Sequence, residues 1–477
     1  MVRSSQSAHE DRPPAPERDG RPRRRDRSRV PTASAVSPTP AISSVDPSAD
    51  AVEYIQTKES VLSAIIPPLS RRSILGAVAA VPVVAAGATT AFADTGTAVR
   101  FTLHATVLDG GEQVSAVSFD ASSLGPIDPV SLTASTFTVH AKATSPVPLN
   151  GSPIFSEYDL DRVVAAATID ERRVITLHLS TAEGQPGGGT LGYILATGRN
   201  VELDLVYTIT QARPLRLRNG RNATISSFEQ GRLVSPEVDA FSYGTSKGGM
   251  NYRLFTPKRA RNNGEGKKFP LIVWLHGGGE GGMGDRQTNE AQLRANRGAL
   301  GFATDEAQSI FGGAYVVAPQ CVSAWMANGK VFSPQVKALI DELVDSEHID
   351  TSRIHVLGCS NGGYMTLRLQ SDYPTFFATG VPICCGATPN FFTDEELIRV
   401  RSTPTWLVAS KDDTTLPYLP NSGRVKALVP EARTSFYDHV IWDGYQFPGH
   451  WSWIYVAHND PSHQGEHVWQ WMSAARR

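Results

Sequence analysis

The chain has 477 residues, and 45 basic against 47 acidic side chains leave a formal charge of −2 at pH 7. Such a balance argues against nucleic acid as a partner, because the dense arginine cluster, Arg21 to Arg25, sits in the extreme N-terminus and no basic face follows it. At roughly 100 to 200 residues per domain, the length accommodates two or three domains.

Residues 1–69 are rich in Arg, Pro, Ser, Ala and Asp and poor in large apolar side chains, so they are expected to be disordered. Residues 70–93 follow another pattern: Ser70-Arg71-Arg72-Ser73-Ile74-Leu75, an apolar run from Ala77 to Ala86, then Ala91-Phe92-Ala93. This reads as a twin-arginine export signal with an A-x-A cleavage site. The run falls short of the roughly 20 residues that span a bilayer and is interrupted by Pro82. No stable membrane insertion is expected after cleavage, and the product is expected to be secreted or held in the cell envelope. Export permits disulfides. With Cys321, Cys359, Cys384 and Cys385 available, one bridge involving Cys321 is expected, and Cys359 reads as a small buried residue.

From residue 94 to 232 the apolar period is two. Val99, Phe101, Leu103, Ala105 and Val107 alternate with more polar neighbours, as do Phe137, Val139 and Ala141, then Ile175, Leu177 and Leu179, then Val201, Leu203, Leu205, Tyr207 and Ile209. Separated by Gly- and Pro-rich turns, these read as half-buried antiparallel strands of an all-β, immunoglobulin-like sandwich. No catalytic constellation stands out here, which leaves binding, spacing or shaping of an active site.

From residue 233 to 477 the pattern becomes that of an α/β domain. Leu271 to Leu275, Tyr315 to Ala318, Ile354 to Leu357 and Thr405 to Ala409 are continuous apolar runs, as in parallel strands buried on both faces. Val336, Leu339, Ile340, Leu343 and Val344 recur at helical spacing between two of them. After the first run comes His276-Gly277-Gly278-Gly279-Glu280-Gly281-Gly282, where glycines let backbone N–H groups face a ligand. A phosphate loop is excluded, since no Gly-Lys-Ser/Thr follows. After the third run comes Gly358-Cys359-Ser360-Asn361-Gly362-Gly363, a strand–turn–helix setting that fits a nucleophile elbow.

Acyl transfer through a serine needs a base for the hydroxyl proton, an acid to orient that base, and donors where the oxyanion develops. In α/β-hydrolases the chain order is Ser, acid, His. Asp412 and Asp413 leave the end of the fourth run together. Five histidines follow, and the loop between the last strand and last helix favours His450, in Phe447-Pro448-Gly449-His450-Trp451-Ser452-Trp453, with His458 next. The expected oxyanion donors are the Asn361 N–H and one from Gly277 or Gly278. Residues 282–313 and the segment around Trp325 are expected to cap the site, with Glu280, Trp325 and Trp451 as candidate pocket residues.

The glycine loop, Ala318-Pro319-Gln320-Cys321 with Trp325, the Gly-Cys-Ser-Asn-Gly-Gly-Tyr-Met-Thr run and Gly449-His450-Trp451-Ser452-Trp453 resemble the bacterial esterases and depolymerase-like hydrolases grouped with the prolyl oligopeptidase family. Some of these, the EstA-type esterases, carry an N-terminal immunoglobulin-like domain. Asp413-Thr414-Thr415-Leu416-Pro417 resembles the Asp-x-x-Val-Pro run of such hydrolases, which selects Asp413. The resemblance implies an exported serine hydrolase acting on small-molecule or polymeric esters through Ser360, Asp413 and His450, with no metal or cofactor. Alternatives are a peptidase of the same family and a non-catalytic exported binding protein.

Overall fold

The computed structural model describes residues 98–261, 266–283 and 286–477; the expected disordered extension and export signal lie outside the described residues. The longer strands of the N-terminal part are β1 (Ala98–Leu108), β2 (Gly111–Asp120), β3 (Phe137–Thr144), β4 (Tyr158–Arg162), β5 (Val164–Ile169), β6 (Val174–Leu179), β7 (Leu191–Ile194), β8 (Arg199–Glu202), β9 (Asp204–Gln211) and β10 (Ser227–Val234). A five-stranded sheet runs β10-β1-β2-β6-β5 and a three-stranded one β9-β3-β4. Phe101, Leu103, Val117, Ile175 and Leu177 of the first meet Val139, Ala141, Tyr207 and Ile209 of the second in one core. The period-two pattern is the cause, since alternate side chains point to one face. One pairing departs from the antiparallel expectation: β1 and β10 are parallel. A further small sheet joins Ile154–Phe155 to β7 and β8.

The last sandwich strand ends at Val234, two residues beyond the expected boundary. An eight-stranded sheet follows, from β11 (Phe241–Thr245), β12 (Asn251–Phe255), β13 (Phe269–Leu275), β14 (Tyr315–Pro319), β15 (Ile349–Cys359), β16 (Thr379–Ile383), β17 (Trp406–Ser410) and β18 (Arg433–Tyr437). Its order is β11-β12-β14-β13-β15-β16-β17-β18. The pairings β11–β12 and β12–β14 are antiparallel, and the rest are parallel.

Both faces of this sheet are covered, which explains the unbroken apolar runs. Leu271, Val273 and Leu275 of β13 enter one core with Val336, Leu339 and Ile340 of helix α1 (Gly329–Ser346) and Met365 and Leu367 of α2 (Asn361–Asp372). Ile272 and Trp274 enter the other with Val468, Trp469 and Met472 of α3 (Val468–Ala474). Each such Leu, Ile or Val stabilises the fold by about 1.5–3 kcal/mol. Val107 of β1 belongs to this second core. The sandwich is also tied on by Arg297, which donates to the Val107 carbonyl at 2.6 Å, and by His458 Nε2, 2.8 Å from Asp109 Oδ1.

Two expectations fail here. All four cysteines are free and buried. Cys321 follows β14 while Cys359 ends β15, with β13 between them. Two strand spacings of about 4.8 Å exceed the roughly 7 Å limit between Cα atoms of a disulfide. Residues 286–313 do not form a cap either: Leu293, Ala299, Leu300 and Phe302 are buried in the second core. A Cβ on Gly298 would overlap the Trp274 ring.

His355, in β15, is fully buried. Its Nδ1 lies 2.8 Å from Thr379 Oγ1, and Nε2 has no hydrogen-bond partner among the described residues. Burial holds its pKa down at about 3. Burial likewise lowers His276 to about 4. A histidine depressed below its unfolded value near 6.5 contributes fully above that pH, and the contribution is lost as pH falls from there toward the folded value. Each histidine should therefore cost about 1.4 kcal/mol per pH unit below 6. Urea midpoints at pH 7, 6 and 5 check this: His355→Gln should be flatter than the parent across that range, and an identical slope would exclude the assignment.

Candidate active site

Ser360 stands between β15 and α2 with φ 56° and ψ −114°, a conformation that costs on the order of 1–3 kcal/mol for a non-glycine residue. The surroundings impose it. The Ser360 N–H donates to the Ile383 carbonyl at 2.9 Å and approaches Cys384 Sγ at 3.3 Å, while its carbonyl accepts the Tyr364 N–H at 3.0 Å to begin α2. A Cβ on Gly362 would overlap the carbonyl oxygen of Leu275, so only glycine lets α2 start hard against the end of β13.

That crossing places the glycine loop beside the helix N-terminus. Gly278 lies so close that a Cβ there would be 3.0 Å from Asn361 Nδ2. The Asn361 N–H is among the first of α2, which have no intrahelical acceptor. Asn361 Oδ1 accepts the Met326 N–H at 2.9 Å, which anchors the side chain away from its own backbone. His276 holds the loop from below. Its Nδ1 donates to the Gly277 carbonyl at 2.6 Å, and its Nε2 accepts the Cys321 N–H at 2.9 Å. Both roles suit the neutral imidazole that burial enforces.

The acid and base candidates are directly joined. Asp413, just past β17, has a fully buried side chain, and its Oδ2 lies 2.7 Å from His450 Nδ1. Its Oδ1 accepts the N–H groups of Thr415 at 2.8 Å and Leu416 at 2.9 Å. Asp412, the rejected neighbour, pairs with His439 at 2.9 Å on the exposed surface and accepts from the Ser410 hydroxyl. His458, the second choice of base, is the histidine bound to Asp109 of the sandwich, and its ring stacks on Trp442 at 4.5 Å. Ser360 shares no hydrogen bond with His450 among the described residues. Burial raises the Cys384 thiol, with smaller contributions from Cys359 and from the Asp413 charge. Catalytic hydrogen bonds commonly tighten only with substrate bound.

The three pocket candidates separate. Trp325 is wholly buried, its Nε1 donating to the His276 carbonyl at 3.1 Å, so it supports the loop and presents no surface to a cleft. Trp451 follows His450 and stacks against Trp453 at 5.6 Å. Its ring faces Gly110 of the sandwich, 3.7 Å from where a Cβ there would sit. Glu280 is 8% exposed; its Oε2 has no hydrogen-bond partner among the described residues and stands 4.0 Å from His276 Nδ1. Burial raises its carboxyl to about 7 against the opposing pull of its own N–H, Arg199, the Gly277 N–H and His450.

Sequence reasoning missed the sandwich residues that reach this site. A Cβ on Gly279 would lie 2.9 Å from Asn200 Nδ2 and 3.3 Å from the Tyr193 ring. Arg199 Nε donates to the Gly282 carbonyl at 3.4 Å. The only signal was the turn Leu195 to Gly198 between two short strands, which says nothing of what the hairpin touches.

Sheet order, elbow and loop positions together define an α/β-hydrolase fold. The Prolyl oligopeptidase family matches residues 322–387, the stretch that carries the elbow. Poly(3-hydroxyalkanoate) depolymerase C of Paucimonas lemoignei is 28% identical over 158 residues, 30% of this chain and 33% of that protein. An acylamino-acid-releasing enzyme of Arabidopsis thaliana is 28% identical over 198 residues, 38% of this chain and 24% of that one. The chain spans only 24–38% of the length of the curated relatives it matches. Among solved structures, a thermostable esterase aligns over 79% of this chain and 99% of its own, with TM-score 0.63 and 24% identity.

Gly449 carries a testable constraint. A Cβ there would overlap the Asp412 carboxylate and lie 2.7 Å from the Asp412 backbone carbon. Gly449→Ala should push the His450 turn off the Asp412–Asp413 segment and cost about 1–3 kcal/mol of stability. Urea denaturation of the variant checks it; an unchanged midpoint would show that the turn tolerates the methyl group.

Proposed function

We propose that this chain is an exported serine hydrolase that cleaves carboxylic esters. The observation that carries the reading is the buried Asp413–His450 pair, at 2.7 Å, on the same sheet end as a serine held at positive φ. Ser360 Oγ attacks the ester carbonyl and His450 Nε2 takes the hydroxyl proton. Asp413 holds Nδ1–H and stabilises the imidazolium. The tetrahedral oxyanion is received by the Asn361 N–H and one from Gly278 or Gly277. His450 returns the proton to the departing alcohol. Water, activated by the same imidazole, then releases the acid and restores the serine.

The leaning of the Gly277 N–H toward the carboxyl of Glu280 and the thiol of Cys359 favours Gly278 as the loop donor. The N-terminal sandwich is read as an immunoglobulin-like domain, and the twin-arginine signal as the route of export. A depolymerase among the relatives keeps polymeric esters within the substrate class. A peptidase is the second reading, favoured by the family match over residues 322–387 and by the acylamino-acid-releasing relative.

Ser360→Ala should lower turnover of short-chain aryl esters by at least about 10³-fold while leaving the unfolding midpoint close to that of the parent. Turnover at the parental level would sink the serine mechanism. Cleavage of acyl-aminoacyl or prolyl aryl amides as fast as aryl esters would transfer the assignment to the peptidase.

A further inference from the structure

Across the small sheet of the sandwich, Phe155 pairs with Tyr193 and Tyr193 with Asn200. Directly opposed residues share a face, so the three form one row. Its Tyr193–Asn200 end lies over Gly279, the loop glycine next to Gly278. Phe155 and Tyr193 are each 36% exposed, a large apolar surface to leave in water beside a catalytic loop. The Tyr193 hydroxyl and the Asn200 amide make no hydrogen bond among the described residues. Arg199, mostly buried, forms no ion pair with a described carboxylate; its Nε and Nη1 donate to the carbonyls of Gly282 and Gly198, and Nη2 has no hydrogen bond among the described residues. Buried Glu280, whose Oε2 makes no hydrogen bond among the described residues, lies close enough for its charge to act on both Tyr193 and Arg199.

We propose that the β7–β8 hairpin of the sandwich is the subsite for the alcohol portion of the ester, and that this portion is a hydroxylated ring, as in a sugar ester. The proposal rests on the ester-hydrolase reading above. Two exposed aromatic faces offer stacking to a flat ring, and three polar groups at their border have unused hydrogen-bonding capacity. An alkyl or plain aryl alcohol would cover the rings but leave those polar groups unpaired once desolvated, which is unfavourable. A ring bearing hydroxyls on its rim and C–H groups on its faces satisfies both. The ring is placed next to an ester held at Ser360 because Gly279 touches Tyr193 and Asn200 while its neighbour Gly278 touches Asn361, the residue after the serine.

The experiment compares kcat/KM of the full chain on 6-O-acetylglucose, phenyl acetate and ethyl acetate, all followed by acid release. The sugar ester should be preferred over both others by at least about tenfold. Tyr193→Ala and Asn200→Ala should each lower that preference by about tenfold, chiefly through KM, and Tyr193→Phe, which keeps the ring, by less. Equal losses on all three esters would mean that the hairpin only braces the loop, and would overturn the proposal. Preference for phenyl acetate that vanishes in Tyr193→Ala would replace the sugar by an aryl group and overturn it too. Hydrolysis of ethyl acetate without preference removes the subsite but leaves the esterase reading standing. If none of the three is cleaved and a phosphonate probe fails to label Ser360, the esterase reading falls and the subsite with it.

Discussion

The contact on which the site depends is the crossing of the α2 N-terminus over the end of β13, where Gly362 meets the Leu275 carbonyl without room for a side chain. Because helix and strand touch, the turn joining β15 to α2 has to be tight, and Ser360 takes the positive φ left to it. The same approach brings Asn361 against Gly278, so the candidate nucleophile and the candidate oxyanion donors are set by one packing event. Strain of about 1–3 kcal/mol at Ser360 is small beside two apolar cores clamping the sheet from either side.

The sandwich is part of the same assembly. Asp109 binds His458, a few residues past the His450 turn, and Gly110 receives the face of Trp451. On the other side of the site, Tyr193, Arg199 and Asn200 lie against the glycine loop. Buried ionic contacts reinforce the seam: Arg294 faces Glu112 of β2 at 3.7 Å and Glu290 at 2.9 Å. Losing one partner of a buried pair leaves an uncompensated charge, so the seam and both loops are coupled through shared packing.

Legibility in the sequence followed the range of each interaction. Strands β13, β14, β15 and β17 could be read because burial on both faces demands unbroken apolar runs, and α1 because Val336, Leu339, Ile340 and Leu343 repeat at helical spacing; β16, a short Thr-Gly-Val-Pro-Ile run broken by glycine and proline, was not read. The sandwich core showed through its period of two, but the parallel pairing of β1 with β10 did not, since alternation is blind to strand direction. Trp325 illustrates the opposite case. An aromatic residue near a glycine loop suits a pocket as well as a core, and only its bond to the His276 carbonyl distinguishes them.

By itself the sequence determined the local chemistry: which segments form strands, where glycines permit close approach, and that a serine, paired aspartates and a histidine-bearing loop stand at strand ends. Tertiary structure decided the partnerships. It gave Asp413 to His450, Asp412 to His439 and His458 to Asp109, kept Cys321 a strand away from any thiol, and brought the Leu191–Glu202 hairpin onto the loop at Gly279. The reason is physical: propensity and periodicity act over a few residues, whereas hydrogen bonds such as that of His458 with Asp109 join positions 349 residues apart and exist only once sheet and sandwich have packed.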